Sequence, residues 1–204
     1  MNAIRFEEQL ITPSKILCVG RNYVEHIQEL NNAVPEQMVV FHKPNSSISS
    51  TLHAVHEETL HYETEISFLI KDGTYYGVGL GLDLTKRELQ SYLKAKGLPW
   101  ERAKAFTGSA VFSKFVPLGE LELTSLQLEL YINSVRIQCG GVPQMIYKPD
   151  VILADLASYT TLEDGDIVMT GTPKGVGEVH KGDVFLGRLK AGDETLIEIE
   201  WVAE

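Results

Sequence analysis

The sequence predicts an α+β fold that is mainly β, a rolled or sandwiched sheet carrying short peripheral helices. Three observations lead there. From His61 to Ile70 apolar and polar residues alternate with the period of a strand. After Phe115, strand patterns over 121–132, 167–169, 184–189 and 195–201 are separated by Gly/Asp turns and interrupted by one helical stretch over 150–159. Strands and helices do not alternate regularly, which argues against a doubly wound parallel sheet. The 204 residues suffice for one large domain and are few for two, so residues 1–204 are expected to form a single domain.

In chain order, Lys15–Gly20 reads as a short buried strand. Asn22, with Glu25 three residues on, reads as the capping start of a short helix ending near Asn31 and Asn32, which sets His26 and Glu29 one turn apart on one face. Residues 38–42 form a second apolar run, stopped by Lys43, Pro44 and a serine-rich polar loop over 45–50. Along 61–70, Tyr62, Thr64, Ile66, Phe68 and Ile70 take one side and His61, Glu63, Glu65 and Ser67 the other, giving an apolar and an acidic face. Residues 75–82 read as a Gly-rich apolar strand, and Asp83 then sits at a strand-to-helix junction. Thr85 with Glu88 reads as a capping box for a helix over 86–96 closed by Gly97, and Pro99 as the first turn of a short helix over 100–106.

Composition narrows the function. With 28 acidic against 18 basic residues and a net charge of -10, the chain has no basic tract to follow a phosphate backbone, so nucleic acid is not an expected partner. No apolar run approaches the roughly 18 to 20 residues of a membrane span, and the first residues lack the order of a secretory signal, so no membrane is expected and the location is read as cytoplasmic. Cys18 and Cys139 have no second Cys or His at metal-binding spacing and read as reduced thiols.

Glu63 and Glu65, at i and i+2 on one strand face, stand roughly 6 to 7 Å apart along the backbone, close enough to converge on one cation. The plainer alternative is the polar side of a solvent-facing strand. Asp83 could complete an all-oxygen set suited to Mg²⁺, Mn²⁺ or Ca²⁺, or simply cap a turn. His26 could take a proton from water near neutral pH, with Glu29 holding its tautomer, although such pairs also occur on exposed helices. Lys104 and Arg87, the latter in the first turn of a helix, suit an anionic substrate or serve as surface cations. The run TGTPKGVG over 170–177 could bring backbone amides to a carboxylate, or form a tight connection. It lacks the spacing of a nucleotide-binding loop.

Taken together, CVGRNYVEHIQEL at Cys18, FHKPNSSI at Phe41, HYETEISFLI at His61, GLDLTKRELQ at Gly81, GLPWERAKAFTGSAVFSKFVP at Gly97, INSVRIQCG at Ile132 and LEDGDIVMTGTPKGVG within the segment that starts at Met145 resemble the fumarylacetoacetate hydrolase family, in family order over most of the chain. The resemblance is to small members related to acylpyruvate hydrolases and oxaloacetate decarboxylases. It implies a mixed β-sandwich roll holding Mg²⁺ or Mn²⁺ on Glu63, Glu65 and Asp83. His26 and Glu29 would be the water-activating pair on a lid, Lys104 a catalytic cation, and Arg87, Lys104 and the Thr172 loop the holders of a carboxylate and a developing oxyanion. Lys43 and Gln138 match positions near the family's pocket. The expected reaction is metal-dependent cleavage of a C–C bond in a small 2-oxo acid, by hydrolysis of an acylpyruvate or decarboxylation of oxaloacetate, by a homodimer. The alternatives are isomerisation or decarboxylation of an unsaturated dicarboxylate from aromatic breakdown, and a non-catalytic metal-binding β-domain. Only seventeen residues separate Glu65 from Asp83, fewer than the family usually carries.

Overall fold

In a computed structural model, which describes residues 1–30 and 36–204, the chain forms the mainly β fold expected. An eight-stranded mixed sheet runs in the order Val39–Pro44, Lys15–Gly20, Ile167–Met169, Thr64–Lys71, Thr74–Asp83, Ala110–Phe112 and Ile48–Ser49, with Val116–Pro117 also beside Thr74–Asp83. A four-stranded antiparallel sheet orders Val135–Gly141, Leu126–Ile132, Val184–Ala191 and Glu194–Val202. Between the two, Ile66, Phe68, Val78, Leu80 and Leu82 meet Leu126, Leu128, Leu130, Phe185, Leu189 and Trp201 in one apolar core. Elsewhere the large sheet is covered by the helix α4, Pro149–Tyr159, whose Ile152 and Leu156 pack on Leu17, Val19, Ile70 and Val168. The other described helices are short: α1 is Val24–Glu29, α2 is Arg87–Ala95 and α3 is Glu101–Lys104. No described helix is long and apolar enough to cross a membrane.

Several local expectations are corrected. The run 61–70 is two strands, not one. Glu58–Tyr62 pairs with Thr85–Lys86 and Gly177–Glu178 in a small sheet, whereas Thr64–Lys71 pairs with Thr74–Asp83 and Ile167–Met169 in the large one. The chain changes sheets at Glu63, and every residue from Thr64 to Ile70 is buried, so there is no solvent-facing acidic side. Asn22 does not cap α1, whose N-cap is Tyr23. Asn22 is buried instead, accepting the Tyr147 N–H at 2.7 Å and donating to Thr170 O at 2.8 Å, a better use of an amide where two loops meet. The helix end near Asn31 and Asn32 lies outside the described residues.

Thr85 forms no capping box, because it lies in a strand and its hydroxyl donates to Asp83 O at 3.1 Å. Pro99 precedes the Trp100 N-cap of α3 rather than opening its first turn. The stretch 45–50 is not a plain polar loop, since Asn45 and Ser47 are buried and Ile48–Ser49 joins the large sheet beside Ala110–Phe112. Val135–Gly141, to which the sequence pattern assigns no strand, pairs along Leu126–Ile132. Its outward side chains, such as Arg136 and Cys139, are exposed, which hides the strand signal. Both cysteines are free thiols.

Candidate active site

The short Glu65-to-Asp83 connection is a hairpin. Antiparallel pairing of Thr64–Lys71 with Thr74–Asp83 sets Glu65 opposite Gly81, and the Asp83 N–H donates to Glu63 O at 2.8 Å. The register therefore gathers Glu63, at the sheet switch, with Glu65 and Asp83. All three are buried, and one carboxylate oxygen of each lies within 4.8 Å of the others.

Cations reach two of the three carboxylates. Lys104, at the end of α3, places Nζ 2.8 Å from Glu63 Oε2, 2.6 Å from Asp83 Oδ2 and 2.6 Å from Thr85 Oγ1. Arg87 donates to Glu63 Oε1 and, at 2.8 Å, to Gln90 Oε1. Lys43 Nζ lies 2.8 Å from Asp83 Oδ1, an ion pair off the hydrogen-bonding angle. Among the described residues, Glu65 accepts only the Gly171 N–H, at 2.7 Å. Burial would raise the Glu63 carboxyl, yet Lys104 and Arg87 hold it well below the usual range. Burial, then Asp83 and Glu63, push Glu65 well above it. Burial disfavours the Lys104 ammonium, but Asp83 and Glu63 outweigh this and keep it above the ordinary lysine value.

Helix α1 forms one wall. His26 is buried and lines the cavity over the carboxylates, with Nδ1 3.3 Å from Glu29 Oε2. The Gly175 N–H in turn contacts both Glu29 oxygens, at 3.0 and 3.2 Å. The 170–177 loop thus does present amides to carboxylates, and they are the protein's own. Two glycines make this possible. Gly171 has φ +95° and Gly175 φ +98°, and a Cβ at Gly175 would fall 2.2 Å from Ile137 O.

Of the remaining expected residues, Arg87, Lys104 and Thr172 line the cavity, while Lys43 and Gln138 lie behind its wall. Lys43 is fully buried and also donates to Ser109 O at 2.9 Å and to Lys104 O. Gln138 accepts the Thr64 N–H at 3.2 Å and donates to Thr172 Oγ1 at 2.8 Å and Pro173 O at 2.9 Å. The Thr172 hydroxyl donates to Thr64 O at 2.8 Å, so its proton is committed to the main chain.

Sequence reasoning passed over Arg21, Phe41, Gln90, Lys94 and Trp100, which also line the cavity. Arg21 is a non-glycine residue at φ 56°, a backbone cost often found where a side chain must be aimed. Arg87, Gln90 and Lys94 follow at i, i+3 and i+7 on one face of α2, a spacing that could have revealed them. Burial, then Arg21 and Arg87, lower the Lys94 pKa.

Glu63, Glu65 and Asp83 fit a divalent cation. They form an all-oxygen donor set, and Glu65 faces two like charges with one amide in support, a deficit that positive charge relieves. The cavity of about 30 Å³ has room for an ion or a couple of waters.

A family model described as Fumarylacetoacetate (FAA) hydrolase C-terminal matches residues 15–203. The chain is 37% identical over 187 residues to the oxaloacetate tautomerase YcgM of Escherichia coli (strain K12), covering 83% of this chain and 85% of that protein. It is 35% identical over 205 residues to the mitochondrial oxaloacetate tautomerase FAHD1 of Homo sapiens, covering 93% and 91%. Among solved structures, the fumarylpyruvate hydrolase of Pseudomonas aeruginosa in complex with Mn²⁺ and pyruvate matches with TM-score 0.88 at 26% identity, covering 99% of this chain and 95% of that one.

Proposed function

The chain belongs to the fumarylacetoacetate hydrolase family, and on that premise we propose that it is a divalent-metal-dependent enzyme interconverting the keto and enol forms of a small 2-oxo acid of the oxaloacetate type. One observation carries this reading: a buried base, His26 with Glu29, shares a cavity with the Glu63, Glu65 and Asp83 triad. Relatives named oxaloacetate tautomerase support the substrate class.

Glu63, Glu65 and Asp83 would hold Mg²⁺ or Mn²⁺, which when bound supplies Lewis-acid stabilisation of negative charge on a 2-oxo group. In this reading His26 removes a proton from the carbon beside the carbonyl, and Glu29 stabilises the imidazolium that results. The Gly175 N–H holds the Glu29 carboxylate in place for that role. Lys104, kept charged by Asp83 and Glu63, offers a cation to the developing oxyanion, and Arg87 to the substrate carboxylate. Lys43 and Gln138 act from behind, the first positioning Asp83 and the second the Thr172 loop.

A second reading, hydrolytic cleavage of an acylpyruvate with His26 activating water, is favoured by the likeness to a fumarylpyruvate hydrolase. The deciding experiment follows the enol absorbance of oxaloacetate and the release of pyruvate in parallel, from oxaloacetate and from acetylpyruvate, with EDTA and then with Mg²⁺ or Mn²⁺ restored. Metal-dependent loss of the enol signal without pyruvate is the expected result. Pyruvate release from either acid moves the assignment to cleavage, and no catalysis of any of these sinks both readings.

A further inference from the structure

Helix α1 has six residues, fewer than the roughly 12 to 15 that an isolated helix needs in water, and its N-cap Tyr23 makes no side-chain capping bond. Its position, and with it that of His26, is therefore set by what grips its two ends. Gly175 holds Glu29 at the C-terminal end. At the N-terminal end the grip is Asn22, four residues before His26 and fully buried. The Asn22 main-chain oxygen accepts the Ile146 N–H at 2.8 Å, and its side chain accepts the Tyr147 N–H at 2.7 Å and donates to Tyr147 O at 3.0 Å.

The same side-chain amide also donates to Thr170 O, at 2.8 Å. The Thr170 C=O and the Gly171 N–H belong to one peptide unit, which is planar. That N–H is the one that supports Glu65 Oε2, at 2.7 Å. A single rigid plane is thus held at its oxygen by Asn22 and offers its hydrogen to a carboxylate of the triad. Donation to the oxygen also polarises the plane and strengthens its N–H as a donor. Gly171 lacks the Cβ that would resist a flip of this plane, and its missing Cβ is what lets Asn22 approach: a Cβ there would fall 2.8 Å from Asn22 Cβ.

We propose that Asn22 is a positioning residue of the active site, which orients Glu65 through the Thr170–Gly171 peptide plane and, four residues ahead of His26, fixes the base relative to the triad. This rests on the reading given above of Glu65 as a metal ligand and His26 as the base. One side chain therefore sets the distance between the group that takes the proton and the ion that stabilises the charge left behind, a distance on which catalysis depends steeply. Partners that orient a metal ligand are commonly worth 10- to 100-fold in affinity or activity.

Asn45 supplies a matched control. It is also buried, and its side chain bonds three main-chain groups, accepting the Asn2 N–H at 2.7 Å and donating to Asn2 O at 2.7 Å and Pro13 O at 2.8 Å. Neither Asn45 nor these partners line the cavity. Asn22→Ala and Asn45→Ala thus delete like sets of bonds, and a merely structural role predicts like behaviour from both. Mn²⁺ affinity is read from the electron paramagnetic resonance of the free ion, and kcat and KM for the keto–enol interconversion of oxaloacetate are measured at saturating Mg²⁺, with melting temperature alongside. Asn22→Ala should weaken Mn²⁺ binding at least fivefold and lower kcat at least tenfold with KM within about threefold, whereas folded Asn45→Ala should stay within about twofold of wild type in all three. A folded Asn22→Ala in which either the affinity or kcat moves less than this, or an Asn45→Ala that matches it, overturns the proposal.

Should Asn22→Ala fail to fold, ¹⁵N-resolved NMR of the wild type during Mg²⁺ titration decides. The Gly171 amide and the Asn22 side-chain amide should shift together at one midpoint while the Asn45 side-chain amide stays still, and an Asn22 signal that does not move overturns the link. A wild type that binds Mn²⁺ without catalysing interconversion, or that binds none, overturns the functional reading instead and takes the positioning role with it.

Discussion

Among the described residues, two places bury a carboxylate, and they treat it in opposite ways. Asp166 accepts from Ser14 Oγ at 2.6 Å, Lys15 Nζ at 2.5 Å, Lys15 N at 3.2 Å and Glu163 N at 2.9 Å. Burial alone would raise its pKa, but the bonds from Lys15, Ser14 and the Glu163 amide turn the shift downward. Among the described residues Glu65 has one amide, no cation in contact and two carboxylates for neighbours, so burial and those like charges drive its shift upward. A carboxylate that serves the fold is closed off by donors from its own chain. One left in deficit, in a cavity, is arranged for something the chain does not itself contain.

The most direct way to break this comparison is to neutralise each group. Glu65→Gln should lower kcat of the metal-supplemented enzyme by about a thousandfold or more, roughly 4 kcal/mol of transition-state stabilisation. The metal-free variant should melt no lower than wild type, because an amide replaces a carboxylate that repelled its neighbours. A large drop in its melting temperature would place Glu65 with Asp166 as a structural group. Asp166→Asn should do the reverse, costing about 3 kcal/mol of stability in urea denaturation, since Lys15 loses a buried partner. The activity of its folded fraction should stay within about twofold of wild type, as expected for a change remote from the cavity.

How much of this was legible in the sequence follows from how local each feature is. Glu63 and Glu65 were paired by a strand period that the chain breaks at Glu63, whereas His26 and Glu29 at i, i+3 were readable because the helix period alone sets their spacing. The mainly β fold was likewise readable from local periods. Asn22 and Thr85 were misread as caps because each has the right chemistry for a cap and a stronger tertiary use for it, Asn22 joining the 147 and 170 loops and Thr85 accepting from Lys104. Arg21, Trp100 and Lys94 could not be assembled from sequence, since a loop, a helix cap and the last turn of α2 meet only when the large sheet is built. The 170–177 run was read as able to bring backbone amides to a carboxylate or as a tight connection, but that the Gly171 and Gly175 amides meet Glu65 and Glu29 depends on strand register.

Metal titration sharpens the contrast by a smaller amount. Mg²⁺ or Mn²⁺ at a hundred times its dissociation constant should stabilise the wild type by about 2.7 kcal/mol, read as a rise in melting temperature. Asp166→Asn should keep this increment from its lower baseline, and Glu65→Gln should lose most of it. Equal increments in both variants would mean that the cation binds somewhere other than the triad.

The smallest effect, and the one that isolates the two environments most cleanly, is the pH dependence of the metal-free protein. The folded-state pKa of Asp166 is depressed, so its contribution is fully present above the unfolded value of about 3.9 and is lost as pH falls through the folded value. Wild type and Asp166→Asn should therefore converge in stability as the pH is lowered past about 4. For Glu65 the folded-state pKa is raised, so its contribution is fully present below the unfolded value of about 4.3 and is lost as pH rises through the folded value. Metal-free wild type should thus lose stability relative to Glu65→Gln as pH rises from about 4.3 toward neutrality, a slope opposite in sign to that of Asp166. Added metal should remove that slope, because a cation on the triad favours the ionised carboxylate that burial and its two neighbours resist. Urea denaturation of the three proteins across this range, with and without metal, reads both slopes, and two slopes of the same sign would show that the fold treats the two carboxylates alike.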